Sequence, residues 1–218
     1  KAENESPKRY NSDICLVAEM GGRNMKFKKN DLRGPLLVDQ NIEKGYAKLA
    51  KYTIKFCLKH NMKLVIPLKH DKKYSFNFHK LEVEYFDRNF EKEELDYIKR
   101  NILEKDQDNF SSYRAVLNSK VAVGIGSTLL FDKLGTGGKI LSCNLTKADF
   151  ANFPISGICS LNNCTYLEFE KRLLEIYSIS SEDFFSKIDK KPDYVMKFNK
   201  NNSTINLIRE KLSQLGVN

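Results

Sequence analysis

The stretch that decides the fold is residues 120–144, KVAVGIGSTLLFDKLGTGGKILSCN. Its first part, Val121–Ile125, is a short apolar run rich in β-branched residues, which is typical of a strand buried in a parallel sheet. Residues 126–128 follow at once and supply a Ser/Thr pair suited to cap a helix. Apolar residues at helical spacing predict that helix over 129–135, and Lys139–Asn144 predicts a second strand. The stretch therefore predicts a strand–helix–strand unit.

The turn between this strand and this helix is a candidate anion site. The first N–H groups of a helix lack intrahelical acceptors and lie at the positive end of its dipole, which suits phosphate. Gly126 would let a ligand approach the backbone closely, and Ser127 and Thr128 add hydroxyl groups. The pattern is neither a P-loop nor a GxGxxG dinucleotide motif. An ordinary capped unit in the core explains it equally well.

The remainder of the chain alternates strand and helix patterns. Further strands are predicted at Asp13–Glu19, Lys63–Leu68 and Glu82–Phe86. Helices are predicted at Ile42–His60, Glu91–Leu103, Ser111–Asn118, Tyr166–Tyr177, Ser181–Ile188 and Ser203–Leu215, with residues 149–164 as a loop. Five strands alternating with helices favour an α/β fold with a three-layer, Rossmann-like parallel sheet and C-terminal helices. We expect residues 1–12 to be an arm or linker and residues 13–218 to form one domain.

Two strand ends carry charged candidates for a site. Glu19 ends the first predicted strand, and Arg23 follows it in a long irregular segment, where it would add a cation for an anion. Lys69 and His70 leave the C-terminal end of the second predicted strand, the edge at which open α/β sheets bind ligands. A histidine there can donate to phosphate or protonate a leaving group near neutral pH. A surface histidine in a basic turn is the plain alternative.

Charge is unevenly distributed along the chain. The formal net charge is +9, and residues 1–80 hold 18 Lys or Arg against 8 Asp or Glu. The excess indicates an anionic partner for this part: nucleotide phosphates, an anionic acceptor, a membrane surface or nucleic acid. The predicted helix at 42–60 carries a stripe of five lysines, which is either a solvated face or a contact with anionic lipid headgroups.

Cysteine spacing and hydropathy argue against a zinc site and against a membrane-spanning helix. The five cysteines are scattered, without a CxxC pair or a Cys/His spacing suited to zinc, so we expect free buried thiols in a reducing cytosol. No apolar stretch reaches the roughly 18 residues that a membrane-spanning helix needs. The chain begins with Lys1 and shows no signal peptide, so we expect it to be part of a longer protein.

The order of these motifs resembles a known family. A Lys-His pair after a strand, a Ser-Tyr helix and then SKVAVGIGSTLLFDKLGTGGKIL are similar to the C-terminal half of GT-B glycosyltransferases. The most similar members are bacterial surface-polysaccharide enzymes that use CMP-activated donors, such as Kdo transferases, sialyl- and polysialyltransferases, together with the related teichoic-acid polymerases. The resemblance covers Leu64 to Asn144. Asp71 stands where the family has proline.

The resemblance implies a role for several positions. Ser127 and Thr128 match the Ser pair that holds the donor phosphate. Lys69 and His70 match the positions that face the phosphate or the departing nucleotide, and Asp132 matches an acidic residue near the nucleotide ribose. A GT-B enzyme also needs an N-terminal domain for the acceptor and the catalytic base, so that domain, or a partner subunit, is expected outside this chain.

The sequence therefore predicts the donor-binding domain of a glycosyltransferase of bacterial capsule or lipopolysaccharide synthesis. Its donor would be a nucleotide-activated sugar, with a CMP-sugar as the candidate, and its acceptor a glycan or glycolipid. No metal and no other cofactor is expected. We expect a cytoplasmic location, with peripheral contact at the inner membrane face, and Glu19 is a candidate base. The alternatives are a non-catalytic basic module that binds nucleic acid or an anionic surface, and a nucleotide-sugar epimerase, for which no catalytic acid pair is identifiable.

Overall fold

A six-stranded sheet forms the centre of the molecule. The computed structural model describes residues 10–19, 40–72, 76–105, 110–189 and 204–215. In these ranges the strands are β1 (Ser12–Leu16), β2 (Leu64–Asp71), β3 (Ile102–Lys105), β4 (Ser119–Gly124), β5 (Lys139–Asn144) and β6 (Ser160–Asn162). All neighbouring strands are parallel, in the order β3-β2-β1-β4-β5-β6. The predicted parallel, Rossmann-like sheet is confirmed.

Helices cover both faces of this sheet. They are α1 (Gln40–Lys59), α2 (Phe76–Asn89), α3 (Lys92–Asn101), α4 (Ser111–Asn118), α5 (Thr128–Gly135), α6 (Tyr166–Ser178), α7 (Ser181–Ser186) and α8 (Thr204–Gln214). On one face α1 contacts α3 and α6, and on the other α4 contacts α5. A sheet covered on both sides needs apolar residues throughout its central strands, and Val121–Val123 of β4 are fully buried. None of the described helices combines the length and the apolar character needed to cross a lipid bilayer.

The strand–helix–strand unit of residues 120–144 is present as predicted. β4 leads through Ser127 into α5, whose N-cap is the Ser127 side chain, and β5 occupies Lys139–Asn144. One feature of α5 does not follow from hydropathy: Lys133 is buried and donates from Nζ to the carbonyls of Leu117 (3.2 Å) and Ser119 (2.6 Å). Burial lowers the pKa of Lys133 to about 8. This lysine ties α5 to the end of α4 and the start of β4.

The predicted strand at Glu82–Phe86 is wrong, because these residues lie within α2. Their alternation of apolar and polar residues imitates a strand. The buried positions are instead His79, Glu82, Tyr85 and Phe86, which recur at helical spacing but include two polar residues that a hydropathy pattern does not count.

The two edge strands, β3 and β6, were not predicted from the sequence. β3 begins where the prediction continued a helix to Leu103, since Ile102 extends the apolar spacing of α3. The helix ends there because Ile102 has extended backbone angles, φ −65° and ψ 130°. β6 lies in the segment predicted as a loop and has only three residues. Short edge strands carry too few residues for a period to be recognised.

The first strand is preceded by a buried aromatic residue. β1 begins at Ser12, and Tyr10 before it is buried, with the guanidinium of Arg114 6.0 Å from its ring centroid. Residues 1–9 of the predicted arm lie outside the described residues, as do residues 190–203 and 216–218.

Candidate functional site

A cavity of about 440 Å³ opens at the C-terminal ends of β1, β2 and β4. The strand order reverses between β1 and β4, and this switch point is where open α/β sheets form a ligand crevice. The sequence prediction of a site at these strand ends therefore coincides with a cavity. Its walls are Val17, Ala18, Glu19, Pro67, Lys69, Ser112, Tyr113, Gly126, Ser127, Thr128 and Leu129.

The Glu19 carboxylate accepts hydrogen bonds from the backbone amides of residues 125–127, the β4–α5 turn. Oε1 of Glu19 accepts from the N–H groups of Ile125 (2.8 Å), Ser127 (3.2 Å) and Gly126 (3.3 Å), and Oε2 also lies 3.3 Å from the Gly126 nitrogen. Three consecutive amides thus converge on one oxyanion, in the manner of the backbone nests that bind anions. The group predicted as a base and the turn predicted as a phosphate cradle meet in one contact.

Two residues beside the turn, Ser142 and Gly124, allow these amides to face Glu19. The hydroxyl of Ser142, on β5, donates to the carbonyl of Ile125. Because the peptide is planar and trans, this turns the Gly126 N–H the opposite way, towards Glu19. Gly124 is required for the approach, since a Cβ at this position would lie 2.6 Å from Oε1 of Glu19.

The start of α5 supplies the hydroxyl groups of the site. The Ser127 hydroxyl accepts from the N–H of Leu129 at 3.3 Å and so caps the helix. Thr128 is the first helical residue and lines the cavity. A Cβ at Gly126 would have no atom within 4 Å, so this glycine leaves space on the cavity side of the turn.

Lys69 and His70 point in different directions at the end of β2. Successive side chains of a strand alternate between its faces. Lys69 is exposed and lines the cavity, and within the described residues its ammonium forms no ion pair. His70 is not among the lining residues, and its Nδ1 lies 3.5 Å from Oε2 of Glu82. The structure therefore places Lys69 with Ser127 and Glu19, and turns the His70 ring towards α2.

Glu82 is a residue of this region that sequence reasoning missed. It is 2% exposed, and its carboxylate accepts from the backbone N–H of Lys69 (2.9 Å) and of His70 (3.2 Å). The pairing of β2 with β3 shifts register between Pro67 and Asp71, so these amides leave the regular ladder. Glu82 supplies the acceptor that the shift removes, and thereby holds Lys69 at the cavity.

A second polar pair stands beside the cavity. Tyr113 lines it from α4, and its hydroxyl interacts with the carboxylate of Asp132 on α5. Burial raises the pKa of Asp132, and the hydrogen bond from Tyr113 offsets part of that rise. Asp132 itself is not among the lining residues. Arg23, the remaining predicted site residue, lies outside the described residues.

We predict that Glu82→Ala lowers the free energy of unfolding by about 2–4 kcal/mol, because it leaves the partly buried N–H groups of Lys69 and His70 without an acceptor. Glu84→Ala is the matched control on the same helix. Among the residues that the structure describes, Glu84 forms only surface pairs with Lys80 (3.7 Å) and Arg88 (3.9 Å), so its loss changes stability by less than about 0.5 kcal/mol. Denaturant unfolding of both variants measures the difference, and equal midpoints would show that Glu82 does not hold the end of β2.

Comparison with known proteins gives a family for the chain. Residues 25–212 match the model of a family described as "putative O-antigen biosynthesis protein". No curated protein and no solved structure matches the chain. Within the described residues no group of three or more His, Cys, Asp or Glu side chains is placed to hold a metal ion. The matched region spans most of the sequence and contains the lining residues from β2 onwards, whereas Val17, Ala18 and Glu19 precede it. The chain therefore belongs to this O-antigen biosynthesis family.

Proposed function

We propose that this chain is the donor-binding domain of a glycosyltransferase in O-antigen biosynthesis. Its donor is a nucleotide-activated sugar, with a CMP-sugar as the first candidate, and the donor phosphate binds at the β4–α5 turn. The observation that carries the proposal is the convergence of the Ile125, Gly126 and Ser127 amides on an oxyanion inside a cavity. Family membership supports a role in surface-carbohydrate synthesis, and the switch-point position supports a nucleotide as ligand.

In this proposal, Glu19 is a resident anion that the donor phosphate replaces. A carboxylate and a phosphate cannot share the same three amides, and two negative groups in one partly enclosed cavity repel each other. Phosphate offers more acceptor oxygens and more charge, and Lys69 on the opposite wall adds a cation that favours it. Glu19 then turns away from the amides, where its carboxylate is available as the base predicted from the sequence.

The remaining polar groups are proposed to recognise the rest of the donor. The Ser127 and Thr128 hydroxyls can donate to phosphate oxygens at the start of α5. Tyr113 and Asp132 lie on neighbouring helices beside the cavity and are proposed to accept from or donate to ribose hydroxyls. His70 keeps its predicted role with the leaving phosphate as a hypothesis that requires its ring to turn from Glu82. The glycan or glycolipid acceptor would be bound by an N-terminal domain or by a partner subunit.

The alternative of a basic binding module is less favoured by the contacts of the lysine stripe on α1. Lys51 and Lys59 pair with Glu94 (3.6 Å) and Glu170 (2.8 Å). The ammonium groups of two further lysines lie over aromatic rings, Lys48 over Tyr52 at 5.4 Å and Lys55 over Tyr166 at 4.2 Å. Four of the five lysines thus contact groups of this chain, which leaves less free charge for nucleic acid or lipid.

We predict that one nucleotide in a panel of CMP, CDP, UDP, GDP and CMP-sugars stabilises the protein. At a hundredfold excess over the dissociation constant the gain is about 2.7 kcal/mol, or a rise in Tm of roughly 5–10 °C. Ser127→Gly should weaken this binding at least about tenfold, because glycine is tolerated at the N-cap position at little cost in stability but removes the hydroxyl. Ser186→Ala, on the surface of α7, is the control.

The same panel separates the two functions. If Ser127→Ala combined with His70→Ala leaves nucleotide affinity unchanged, the proposed site is wrong. If no nucleotide in the panel stabilises the protein, and its RNA binding weakens steeply with salt, the result would instead establish the basic module.

We further predict that Glu19→Gln binds the nucleotide, or inorganic diphosphate, about tenfold more tightly than the wild type. The variant no longer loses charge-assisted hydrogen bonds when the phosphate enters, and a difference of about 1.4 kcal/mol is a factor of ten in affinity. Glu84→Gln serves as the control for removal of one carboxylate. Titration calorimetry gives the affinities, and weaker binding by Glu19→Gln would show that Glu19 contacts the donor instead of competing with it.

A further inference from the structure

Two buried thiols lie in contact away from the cavity. Cys143 is on β5, Cys164 directly precedes α6, and their Sγ atoms are 3.6 Å apart. Both are free thiols. The other three cysteines, Cys15, Cys57 and Cys159, also lie in the described part of the chain, and there none of them has a second thiol at this range. No spacing pattern indicates this pair, since twenty residues separate its members.

The backbone fixes this proximity. β6 runs beside β5, with Leu161 opposite Cys143. The chain then turns at Asn163, which has a positive φ of 51° and donates its N–H to the carbonyl of Asn144 at 2.8 Å. Asparagine tolerates this left-handed conformation better than most residues. The turn returns Cys164 over the end of β5, and the next residue, Thr165, is the N-cap of α6.

The two thiols differ in environment. Cys164 lines a second cavity, of about 360 Å³, that opens at the surface, whereas Cys143 is completely buried behind it. The hydrogen bond between the two thiols lowers the pKa of the Cys164 thiol. The same hydrogen bond, together with burial, raises the pKa of Cys143. Cys164 is therefore the thiol that a small oxidant reaches and the better nucleophile, and Cys143 is placed to resolve the product.

We propose that Cys143 and Cys164 form an oxidisable dithiol that closes to a reversible disulfide when a hydroperoxide enters the second cavity. A disulfide requires the sulfurs to approach to about 2.05 Å, so they must move closer by roughly 1.5 Å, a shift that side-chain rotation can supply. The bond would join the end of β5 to the start of α6. This site is independent of the donor cavity.

The chemistry needs only the two thiols and the peroxide. The Cys164 thiolate attacks one peroxide oxygen, the O–O bond breaks, and the departing hydroxide takes up a proton to leave as water. The resulting sulfenic acid is attacked by the Cys143 sulfur, whose proton goes to the leaving hydroxide as the S–O bond breaks. The two thiols lose two electrons in total, and the peroxide is reduced to water.

The test is to count and map thiols after oxidation. The folded protein is treated with a small excess of hydrogen peroxide, then unfolded and alkylated with N-ethylmaleimide. Mass spectrometry of the intact protein gives the number of labels. Five labels are expected before oxidation. Three are expected afterwards, because a disulfide consumes two, and dithiothreitol should restore all five. A protease digest should contain one cross-linked peptide pair, Cys143 with Cys164.

Variants separate this pairing from general oxidation. Cys143→Ser and Cys164→Ser should each lose the cross-link, whereas Cys159→Ser, another buried thiol between β5 and β6, should keep it. Five remaining labels in the wild type, a cross-link between other cysteines, or conversion of Cys164 to sulfinic acid without a cross-link would each overturn the proposal. The mapping of the wild-type protein decides the question even if a serine variant fails to fold.

Discussion

The site depends on one interaction. The Glu19 carboxylate accepts hydrogen bonds from three consecutive backbone N–H groups. These amides belong to a turn at the end of a buried strand, and those of Ile125 and Ser127 are partly buried. Leaving such groups without an acceptor costs about 1–3 kcal/mol each. A carboxylate is the strongest acceptor that a side chain offers, so Glu19 holds the turn in the form that would bind a phosphate.

In the proposed function, the same three amides bind Glu19 in the free protein and the phosphate in the complex. The resident carboxylate keeps the amides converged, so the turn needs no rearrangement when an anion arrives. In the proposed function, an incoming anion has to displace this carboxylate, which would lower the apparent affinity and favour ligands with more charge than a carboxylate. A nucleotide phosphate with Lys69 on the facing wall meets that requirement, whereas a neutral sugar does not. The proposed specificity for an activated donor follows from this exchange.

Much of the scaffold could be read from the sequence, for a clear physical reason. The unit of residues 120–144 has a buried strand, a capped helix and a second buried strand, and each carries its own local signal. Glu19, Lys69 and Ser127 were recognisable because they stand at strand ends, and parallel strands bring those ends to one edge. The direction of each side chain was not recognisable: His70 follows Lys69 directly, yet its ring faces α2.

What the sequence could not show depends on long-range contacts. Glu82 reads as one polar residue in an alternating run, and its role appears only once α2 packs against the irregular end of β2. The contact of Cys143 with Cys164 requires β6, a three-residue strand without a detectable period, and the left-handed turn at Asn163. Hydropathy patterns describe a segment on its own, and these features arise where two segments meet.

The central claim is that a nucleotide phosphate takes the amides that Glu19 now holds. An amide NMR titration with CDP tests this most directly, because the N–H resonances of Ile125, Gly126 and Ser127 report on the acceptor itself. The account predicts that these three resonances shift together and saturably, along with the Glu19 side-chain carboxyl signal. Saturable binding of CDP that leaves these resonances unmoved would contradict it.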